Sequence, residues 1–433
     1  MSAETTIAEQ NAEQNAEQKK CVIVGSGHSA AQLCVSLTHA GRSGKIPVEI
    51  TVIGDEPHAP YHRPPLSKTY LNPAAPEPLQ FIRPENFYRE NSIEMRLGKR
   101  VESIDRQAKQ VCLGGETIPY DVLALATGST HRRPPIPGID HPDVLTLQTA
   151  AQADVIRDRI RSDRCVVVIG AGFIGLEFAA SLRKLGVRVA VLERMERVLS
   201  RVTSLDVSRF FEAMHRHHGV ELHTSVNVTA VDEVEGRLVV RTENGSDFTA
   251  DFVVVGAGAA PNDQLARQAG LDVDNGVRVN EYNQTSDPDI YAMGDCCNQF
   301  HPIYSAQLRI ESVQNALDQA KTVAASILGK PVKQNTMPWF WSDQYDVKLQ
   351  IAGVSTGFDQ CLIRGSAKLG ESFSAWYLKQ GRLLAVDAIN DARAYAVAGK
   401  LIPTGMCPRL ELITDTNITP KELLQSAKEE SNA

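Results

Sequence analysis

The chain has 433 residues, of which 42% are hydrophobic and 22% are charged. This length suffices for about three domains of roughly 150 residues, each with its own core, so a single small binding module is excluded. The 45 basic residues are outnumbered by 52 acidic ones, and the net charge of -7 provides no global positive field for nucleic acid or an anionic membrane.

The eight cysteines are scattered along the chain and form no CxxC pair. They are Cys21, Cys34, Cys112, Cys165, Cys296, Cys297, Cys361 and Cys407. This pattern argues against a zinc ribbon, a reactive dithiol or a disulfide scaffold, and it favours a reducing cytosol. Because no apolar run reaches the roughly 18 residues of a membrane span and no signal-peptide core is present, we expect a soluble cytoplasmic protein. No metal site is predicted, since the histidines of HRHHG at 215–219 lack a second ligand cluster and fit a solvated helix end.

The first 20 residues are polar, contain no aromatic residue and are predicted to form a disordered tail. From Cys21 the composition changes: CVIVG predicts a strand, GSGHSA a glycine turn, and AQLCVSLTHAG a helix that ends at Gly41. The strand VEITVIG follows. The same unit recurs about 145 residues later. Its parts are the strand CVVVIG, the turn GAGFIG, a helix that ends at Gly186, and the strand VRVAVLE.

Further apolar strands meet turns of small residues. They are DVLALATGS at 121–129, DFVVVGAGAAPN at 251–262 and DIYAMGD at 289–295. Apolar residues at helical spacing run from Ser312 to Gly329 and predict a helix there. Beyond Pro338, short aromatic segments of alternating polarity predict antiparallel strands in a third, α+β domain.

The first glycine motif comprises Gly25, Gly27 and Ala30, between a strand and a helix. Such glycines let the backbone approach a pyrophosphate, whose charge the helix N-terminus stabilises. Taken alone, the motif is also what a tight turn in any α/β protein would show. Asp55 or Glu56 is the acid expected about 20 residues further on to bind a ribose.

The second motif consists of three glycines and an acid: Gly170, Gly172, Gly175 and Glu193. A carboxylate at the end of VRVAVLE can accept both ribose hydroxyls and repels a 2′-phosphate, so NADH is predicted to be preferred to NADPH. Arg194 and Arg197 count against this preference, because either could bind a phosphate.

Two dinucleotide folds imply two dinucleotides, and redox chemistry pairs a tightly held flavin with an exchangeable nicotinamide. The loop PYHRPPLSKTYL, made rigid by its prolines, presents Lys68. Disulfide reductases of this architecture would have a cysteine in this region, and there is none here. Lys68 taken alone is also compatible with a plain surface charge.

Eight motifs in order carry a resemblance to a known family: GSGHSA, PYHRPPLSK, ATGS, GAGFIGLE, GAGAAPN, TSDPDIYAMGDC, RIESVQNA and WFWSDQY. From Cys21 onward the chain resembles the FAD-dependent ferredoxin reductases of bacterial oxygenase systems, within the pyridine nucleotide-disulfide oxidoreductase superfamily. The resemblance implies an α/β fold of the glutathione-reductase type, with two nested Rossmann-like dinucleotide-binding domains and a C-terminal α+β domain. The implied ranges are 21–123 and 251–330 for the FAD-binding domain, 124–250 for the NAD-binding domain, and 331–433 for the C-terminal reductase domain.

The resemblance also assigns residues to the two cofactors. For FAD they are Gly25, Gly27, Ser29, Ala30, Asp55, Glu56, Lys68, Val101, Thr127, Gly128, Asp295 and Val313. For NAD they are Gly170, Gly172, Ile174, Gly175, Glu193 and Gly258. Asp295 would contact the ribityl chain and Val313 the isoalloxazine, although a helix cap and a core valine are the alternatives. Gln148 stands where the family often has an arginine, so one FAD contact would be weaker or rearranged.

Lys68 and Glu177 match the lysine and glutamate that this family pairs beside the flavin, and the resemblance makes them the predicted catalytic residues. Trp341 matches a tryptophan near the surface where the iron–sulfur partner docks. Cys296 and Cys297 could form a strained vicinal disulfide, but plain packing is favoured.

The predicted function is electron transfer from NADH through FAD, one electron at a time, to a small two-iron, two-sulfur ferredoxin or a rubredoxin that feeds an oxygenase. Two alternatives stay open. An NADH oxidase or peroxidase would use a catalytic cysteine, for which Cys296 is the candidate. A redox sensor resembling apoptosis-inducing factor would couple NADH reduction to association. From the family, we expect a monomer or a weak dimer.

Overall fold

The computed structural model describes residues 19–42 and 48–432. The predicted disordered tail lies outside the described residues except for its last two positions. These two, Lys19 and Lys20, begin the first strand and pair with Val48 and Glu49 of the second.

The strands are, in chain order, β1 (Lys19–Val24), β2 (Val48–Gly54), β3 (Glu94–Leu97), β4 (Ser103–Asp105), β5 (Gln110–Leu113), β6 (Glu116–Pro119), β7 (Val122–Leu125), β8 (Ser129–His131), β9 (Val144–Leu145), β10 (Cys165–Ile169), β11 (Arg188–Leu192), β12 (Glu221–His223), β13 (Val228–Val234), β14 (Arg237–Thr242), β15 (Asp247–Ala250), β16 (Phe252–Val255), β17 (Ala259–Pro261), β18 (Val277–Val279), β19 (Ile290–Ala292), β20 (Cys297–His301), β21 (Ala306–Leu308), β22 (Trp339–Gln344), β23 (Val347–Gly353), β24 (Gln360–Gly365), β25 (Phe373–Lys379) and β26 (Arg382–Ile389).

The α-helices are α1 (His28–Arg42), α2 (Glu85–Glu90), α3 (Ala150–Arg159), α4 (Phe173–Lys184), α5 (Leu205–His217), α6 (Gln264–Gln268), α7 (Val313–Ile327), α8 (Ala392–Leu401), α9 (Leu410–Thr414) and α10 (Pro420–Asn432). Short 3₁₀ helices span Pro64–Ser67, Thr69–Leu71, Gly294–Cys296 and Ile402–Thr404.

The first sheet is parallel, in the order β19-β7-β1-β2-β3. Its central strand is buried from Cys21 to Val24, as expected of a parallel strand covered on both faces. Helices α1 and α7 pack on one face, where Leu33 and Val323 share a core. The short antiparallel sheet β4-β5-β6 contributes Val111 to the core on the other face.

The second sheet is also parallel, in the order β12-β11-β10-β16-β9. It corrects two predicted domain boundaries. The segment from 251 was predicted to return to the first unit, but Phe252–Val255 pairs with β10, so the second sheet extends to Val255. The boundary at 123 cuts through β7, which belongs whole to the first sheet. The boundary at 123 fell inside an apolar strand, and the boundary at 251 fell directly before one, so the apolar runs did not indicate to which sheet each strand belongs.

The second unit is nested within the first. The first sheet uses strands from both sides of it, since β7 precedes the second sheet and β19 follows it. Three smaller sheets accompany the two units. The sheets β13-β14-β15 and β17-β8 are antiparallel, whereas in β18-β20-β21 the first two strands run parallel and the last two antiparallel.

The C-terminal domain is built on an antiparallel sheet in the order β22-β23-β26-β25-β24. Helices α8, α9 and α10 cover one face, where Trp376 is fully buried with Val397 and Ile413. The predicted fold class is therefore confirmed: an α/β chain with two nested Rossmann-like sheets and a C-terminal α+β domain. Among residues 19–42 and 48–432, no helix is long and apolar enough to cross a membrane.

Candidate functional site

The first glycine turn joins β1 to α1 and fits the approach of a phosphate group. Gly25 has φ +110°, and a Cβ there would lie 2.1 Å from the carbonyl oxygen of Ala126. A Cβ on Gly27 would meet nothing within 4 Å, so the backbone at Gly27 borders open space at the start of α1. Ala30 is fully buried one turn further on. Geometry and opening together match a turn that receives a pyrophosphate at a helix N-terminus.

The two acids after β2 have different surroundings. Asp55 is exposed, whereas Glu56 is half-buried and forms an ion pair with Arg63, with 2.6 Å between Oε1 and Nη2. The hydroxyl of Tyr61 donates to the other carboxylate oxygen of Glu56 at 2.5 Å. Arg63 also donates to the backbone oxygen of Gln148 at 2.7 Å. Glu56 therefore anchors the proline-rich loop against the connection to the second unit.

The turn after β19 brings Asp295 to the same edge of the first sheet. Burial, with a smaller contribution from Glu311, raises the pKa of Asp295 to about 6, although the Ser129 hydroxyl donates to its Oδ2 at 3.1 Å. Gly294 has φ +77°, and a Cβ there would lie 2.6 Å from Oγ of Ser29, so this turn packs against the start of α1. The predicted FAD residues Ser29 and Asp295 thus belong to adjoining turns.

The segment after β7 completes this edge. The Thr127 hydroxyl donates to the backbone oxygen of Asn262 at 2.7 Å, and the Asn262 amide donates back to the Thr127 backbone oxygen at 2.8 Å. Gly128 has φ +68° and its carbonyl accepts from the Asn262 backbone N–H at 2.9 Å. Val101 packs in the core beneath the sheet. Val313 is the first residue of α7, whose N-cap Ser312 accepts from the backbone N–H of Asn315 at 3.1 Å.

Two buried histidine nitrogens at this edge have no hydrogen-bond partner among the described residues: Nε2 of His28 and Nδ1 of His131. Burial lowers the pKa of His28 to about 4, helped by nearby His62 and Arg63, so its ring is neutral. Unpaired buried polar atoms are rare in proteins and are expected where a ligand supplies the partner. With the open space at Gly27, they show that the residues present fit a bound dinucleotide.

The side chain of Gln148 bonds to the backbone of β8. Its amide donates to the Ser129 backbone oxygen, and its Oε1 accepts from the His131 N–H at 3.3 Å. A glutamine in place of the family's arginine therefore ties β8 to the segment before α3. The Gln148 side chain is thus engaged with the protein backbone, and its predicted effect on FAD binding stays a prediction.

The second glycine turn joins β10 to α4 and repeats the geometry of the first. Gly170 has φ +106°, and a Cβ there would lie 2.5 Å from the carbonyl oxygen of Gly256. A Cβ on Gly175 would lie 2.2 Å from the carbonyl oxygen of Gly170, whereas Gly172 again faces open space. The turn therefore needs glycine at two positions for packing and leaves the third free for a ligand.

Glu193 closes this turn from the end of β11. Its Oε2 accepts from the Ala171 N–H at 2.7 Å, and its Oε1 accepts from the Met195 N–H at 2.8 Å. Arg197 donates to the backbone oxygens of Thr203 and Ser200, and to the Ser208 hydroxyl, so its guanidinium is engaged in structure. The alternative in which Arg197 binds a 2′-phosphate is therefore disfavoured, whereas Arg194 is exposed beside Glu193.

Ile174 and Gly258 lie at the edge of the second sheet where the parallel strands β10 and β16 end. Ile174 is 43% exposed although it is apolar, in the first turn of α4. Gly258 has φ +89°, and a Cβ there would lie 3.7 Å from Nη2 of Arg201. An exposed apolar side chain and a guanidinium at the end of parallel strands suit one ligand with a ring and a phosphate.

Lys68 and Glu177 are brought together from different units. Nζ of Lys68 lies 3.3 Å from Oε1 of Glu177, whose side chain is 8% exposed. The Ser67 hydroxyl donates to Oε2 of Glu177 at 3.0 Å, and the Ser342 hydroxyl donates to Oε1 at 2.7 Å. The predicted pair thus joins the loop of the first unit, helix α4 of the second and strand β22 of the C-terminal domain.

Trp341 lies in the middle of β22, half-buried, with its ring centroid 5.5 Å from that of Trp339. The neighbouring Phe340 points the other way and meets Phe173 of α4 at 4.7 Å. Side chains alternate along a strand, so β22 offers one aromatic face away from α4 and buries the other against it.

The predicted pair Cys296 and Cys297 consists of two buried thiols without a disulfide. Burial raises the pKa of both thiols, which keeps them protonated. Cys296 lies within hydrogen-bonding range of the Met293 backbone oxygen at 3.3 Å, and Cys297 of the Gln319 side chain at 3.3 Å. The prediction of plain packing therefore agrees with the structure.

Several residues of the site were not predicted from the sequence. The HRHHG motif was expected to be a solvated helix end, and for His215 this is wrong, because His215 is fully buried under β22. Arg63, Ser67, Ser342 and Gln344 were not singled out either. All four lie inside the motifs PYHRPPLSK and WFWSDQY, but their roles depend on contacts between distant segments.

Comparison with known proteins agrees with this geometry. A family model described as pyridine nucleotide-disulphide oxidoreductase matches residues 19–320, and one described as reductase C-terminal matches residues 339–424. The chain belongs to the pyridine nucleotide-disulphide oxidoreductases. It is therefore an oxidoreductase of a family that uses FAD and NAD(P)H, and the resemblance drawn from the motifs is confirmed.

Relatives resemble the chain over nearly its whole length. Rhodocoxin reductase from Rhodococcus erythropolis is 42% identical over 92% of this chain and 93% of its own. The ferredoxin reductase for the CYP199A2 system from Rhodopseudomonas palustris superposes with a TM-score of 0.88 at 40% identity, covering 94% of this chain and 99% of that one. The covalent putidaredoxin reductase–putidaredoxin complex superposes with a TM-score of 0.91 at 37% identity, and the match covers 96% of this chain and 100% of that one.

Proposed function

We propose that this protein takes electrons from NADH and delivers them one at a time to a small two-iron, two-sulfur ferredoxin that feeds an oxygenase. The observation that carries the proposal is the Lys68–Glu177 ion pair, held at 3.3 Å where all three parts of the chain meet. The loop PYHRPPLSKTYL contains no cysteine where a disulfide reductase of this architecture would have one, so a dithiol relay is not part of the proposed mechanism.

The first unit would hold FAD. Gly25 and Gly27 open the start of α1 to the pyrophosphate, Asp295 and Ser129 face the same edge, and the N-terminus of α7 supplies free N–H groups. When bound, FAD converts the two-electron chemistry of a nicotinamide into the one-electron chemistry of an iron–sulfur centre. The contribution of Lys68 is a fixed positive charge, because Glu177 and its serine partners restrict where the ammonium can lie.

The second unit would hold NADH. Glu193 is placed to accept ribose hydroxyls while its carboxylate repels a 2′-phosphate, and Arg197 is occupied by backbone oxygens. These features favour NADH over NADPH. Gly172 leaves room for the pyrophosphate at the start of α4.

The acceptor is proposed from the relatives and from β22. In one of the similar solved structures, putidaredoxin reductase is covalently joined to putidaredoxin. We assign docking on this chain to the aromatic face around Trp341, since half-buried tryptophans often anchor protein interfaces. Rubredoxin is the second possible acceptor. A monomer or weak dimer and a cytoplasmic location complete the proposal.

Cytochrome c reduction by NADH, measured with and without an added two-iron ferredoxin, tests this function. The proposal expects cytochrome c reduction that depends on ferredoxin and little consumption of oxygen in its absence. Rapid oxygen consumption without ferredoxin would instead identify an NADH oxidase. Slow flavin reduction with an NADH-dependent change of oligomeric state would identify a redox sensor.

A further inference from the structure

A chain of buried side chains runs from Glu177 away from Lys68 and ends inside the second unit. Ser342 donates to Glu177 at 2.7 Å, the amide of Gln344 donates to the Ser342 hydroxyl at 3.0 Å, and Nε2 of His215 lies 2.8 Å from Oε1 of Gln344. Ser342, Gln344 and His215 are each fully buried. Beyond the direct contact of Ser342 with Glu177, none of these three residues is assigned a role in the function proposed above.

The direction of every hydrogen bond in this chain follows from the groups themselves. The ionised Glu177 carboxylate can only accept, so the single hydroxyl proton of Ser342 is committed to it. Ser342 then has only lone pairs for Gln344, which must present its NH₂ group there and its carbonyl oxygen to His215. His215 must therefore carry its proton on Nε2.

His215 is held in this neutral tautomer. Burial lowers its pKa to about 4, and its Nδ1 has no hydrogen-bond partner among the described residues. The ring packs edge-on against Tyr345 at 5.3 Å. A neutral donor at the end of the chain fixes the orientation of Gln344, which in turn keeps Ser342 directed at Glu177.

Because side chains alternate along β22, these hydrogen-bonded side chains lie behind the aromatic face around Trp341. Phe340, Ser342 and Gln344 point towards α4 and α5, where they meet Phe173, Glu177 and His215. Trp339 and Trp341 stand on the opposite face of the same strand. One strand thus carries the aromatic surface on one side and the support of the ion pair on the other.

We propose that Ser342 and Gln344 are positioning residues that hold the Glu177 carboxylate against Lys68, with His215 setting their orientation. The C-terminal domain then determines the geometry of the Lys68–Glu177 ion pair through the face of β22 that is opposite Trp341. The relevance of this support to electron transfer rests on the proposed function, but its existence can be measured without NADH or ferredoxin.

Trace acetylation of lysines in the FAD-loaded protein, quantified by mass spectrometry, reports how firmly Lys68 is held, because a free amine reacts and an ion-paired ammonium does not. Ser342→Ala should raise the labelling rate of Lys68 about tenfold, as expected for the loss of one hydrogen bond to a charged partner. Ser342→Thr keeps a hydroxyl and should restore the wild-type rate. Lys321, paired with Asp318 at 2.9 Å on α7, serves as the internal reference.

Gln344→Glu tests the direction of the chain. It places a second carboxylate beside Ser342, so the single hydroxyl proton is shared and Glu177 is partly released. Labelling of Lys68 should rise in this variant as well, although nothing is removed from the core. Unchanged labelling in Ser342→Ala would overturn the proposal, and unchanged labelling in Gln344→Glu alone would overturn the role of Gln344.

The matched control is Ser374→Ala. Ser374 is another fully buried serine of the same sheet, and its hydroxyl accepts from Trp376 at 3.1 Å, away from Glu177. Urea unfolding is measured for every variant. If Ser374→Ala raised Lys68 labelling as much as Ser342→Ala, loosening of the sheet would explain the effect and the proposal would fail. A protein that failed to reduce ferredoxin but showed the predicted labelling would refute the function alone.

Discussion

The two glycine turns share a backbone and differ in the acid that follows them. In both turns the first glycine has φ above +100°. It lies so close to the backbone just after the neighbouring strand of its sheet that a side chain could not be accommodated. After the first turn, Glu56 pairs with Arg63 and Tyr61 of the proline-rich loop. After the second turn, Glu193 binds two backbone N–H groups, including that of Ala171 within the turn.

If the proposed function holds, this difference would distinguish the site of a tightly held cofactor from that of an exchangeable one. Glu56 fixes a loop that continues to Ser67 and Lys68, which would suit a first unit organised around a cofactor that stays. Glu193 keeps the second turn in shape with its own carboxylate and needs no second side chain. A dinucleotide can then enter and leave that turn without breaking an ion pair.

The largest effect is expected from Gly25→Ala. The positive φ and the clash with Ala126 should destabilise the protein by about 3 kcal/mol or more and abolish FAD retention. The matched variant Gly27→Ala adds its methyl group to open space, so it should fold with near wild-type stability but bind FAD more weakly. Urea unfolding and FAD absorbance measure the two properties. Equal loss of stability in both variants would contradict the difference drawn between these glycines.

Lys68→Met should slow flavin reduction by NADH about 100-fold while leaving FAD bound, since it removes one preorganised charge from the site. Stopped-flow absorbance at the flavin band provides the rate. Lys321→Met is the control, because it also removes a lysine paired with an acid but on α7. An unchanged rate in Lys68→Met would exclude this lysine from the mechanism.

Glu193→Gln tests coenzyme selection in the second turn. It keeps an acceptor for the backbone N–H groups but removes the negative charge, so the ratio of kcat/KM for NADH to that for NADPH should fall about tenfold. Glu56→Gln, the corresponding change after the first turn, should leave that ratio unaltered. If the ratio stayed constant in Glu193→Gln, the assignment of Glu193 to the ribose would be wrong.

A smaller effect is expected from the pH dependence of Asp295. Its pKa is raised to about 6 by burial, so the folded state binds a proton more tightly than the unfolded chain, in which the carboxyl titrates near its ordinary value of 3.8. The free energy of unfolding of the FAD-free protein should therefore fall as pH rises from about 4 to 6, by about 1 kcal/mol after allowance for solvent screening. Asp295→Asn should lack this contribution, as chemical denaturation across that pH range would reveal. If the free energy of unfolding changed with pH in the same way in the wild type and in Asp295→Asn, the contribution of Asp295 would be contradicted.

Local patterns in the sequence predicted the two units because a strand, a glycine turn and a helix are contiguous. The helix from Ser312 to Gly329 is confirmed as Val313–Ile327, with Gly329 at φ +73° just beyond its end. The Lys68–Glu177 pair came from the resemblance, not from spacing, since 109 positions separate the two residues in the printed sequence.

The remainder depended on tertiary contacts that no local pattern encodes. The polar and basic context of His215 indicated solvent, but the end of α5 packs under β22 and buries the ring beside Gln344, 129 positions away. Spacing made Asp55 or Glu56 the predicted ribose acid, and that stays a prediction; the ion pair that Arg63 of the proline-rich loop forms with Glu56 was not predicted. The strand Phe252–Val255 was assigned to the wrong unit because its apolar run fits either sheet equally well.

The most direct test of the account is an anaerobic titration of a two-iron ferredoxin with NADH in the presence of catalytic amounts of this protein. The account predicts that two ferredoxin molecules are reduced for each NADH oxidised, because each iron–sulfur centre accepts one electron. It also predicts that Lys68→Met slows the reaction without changing this ratio. Failure to reduce ferredoxin, while NADH is consumed rapidly once oxygen is admitted, would contradict it.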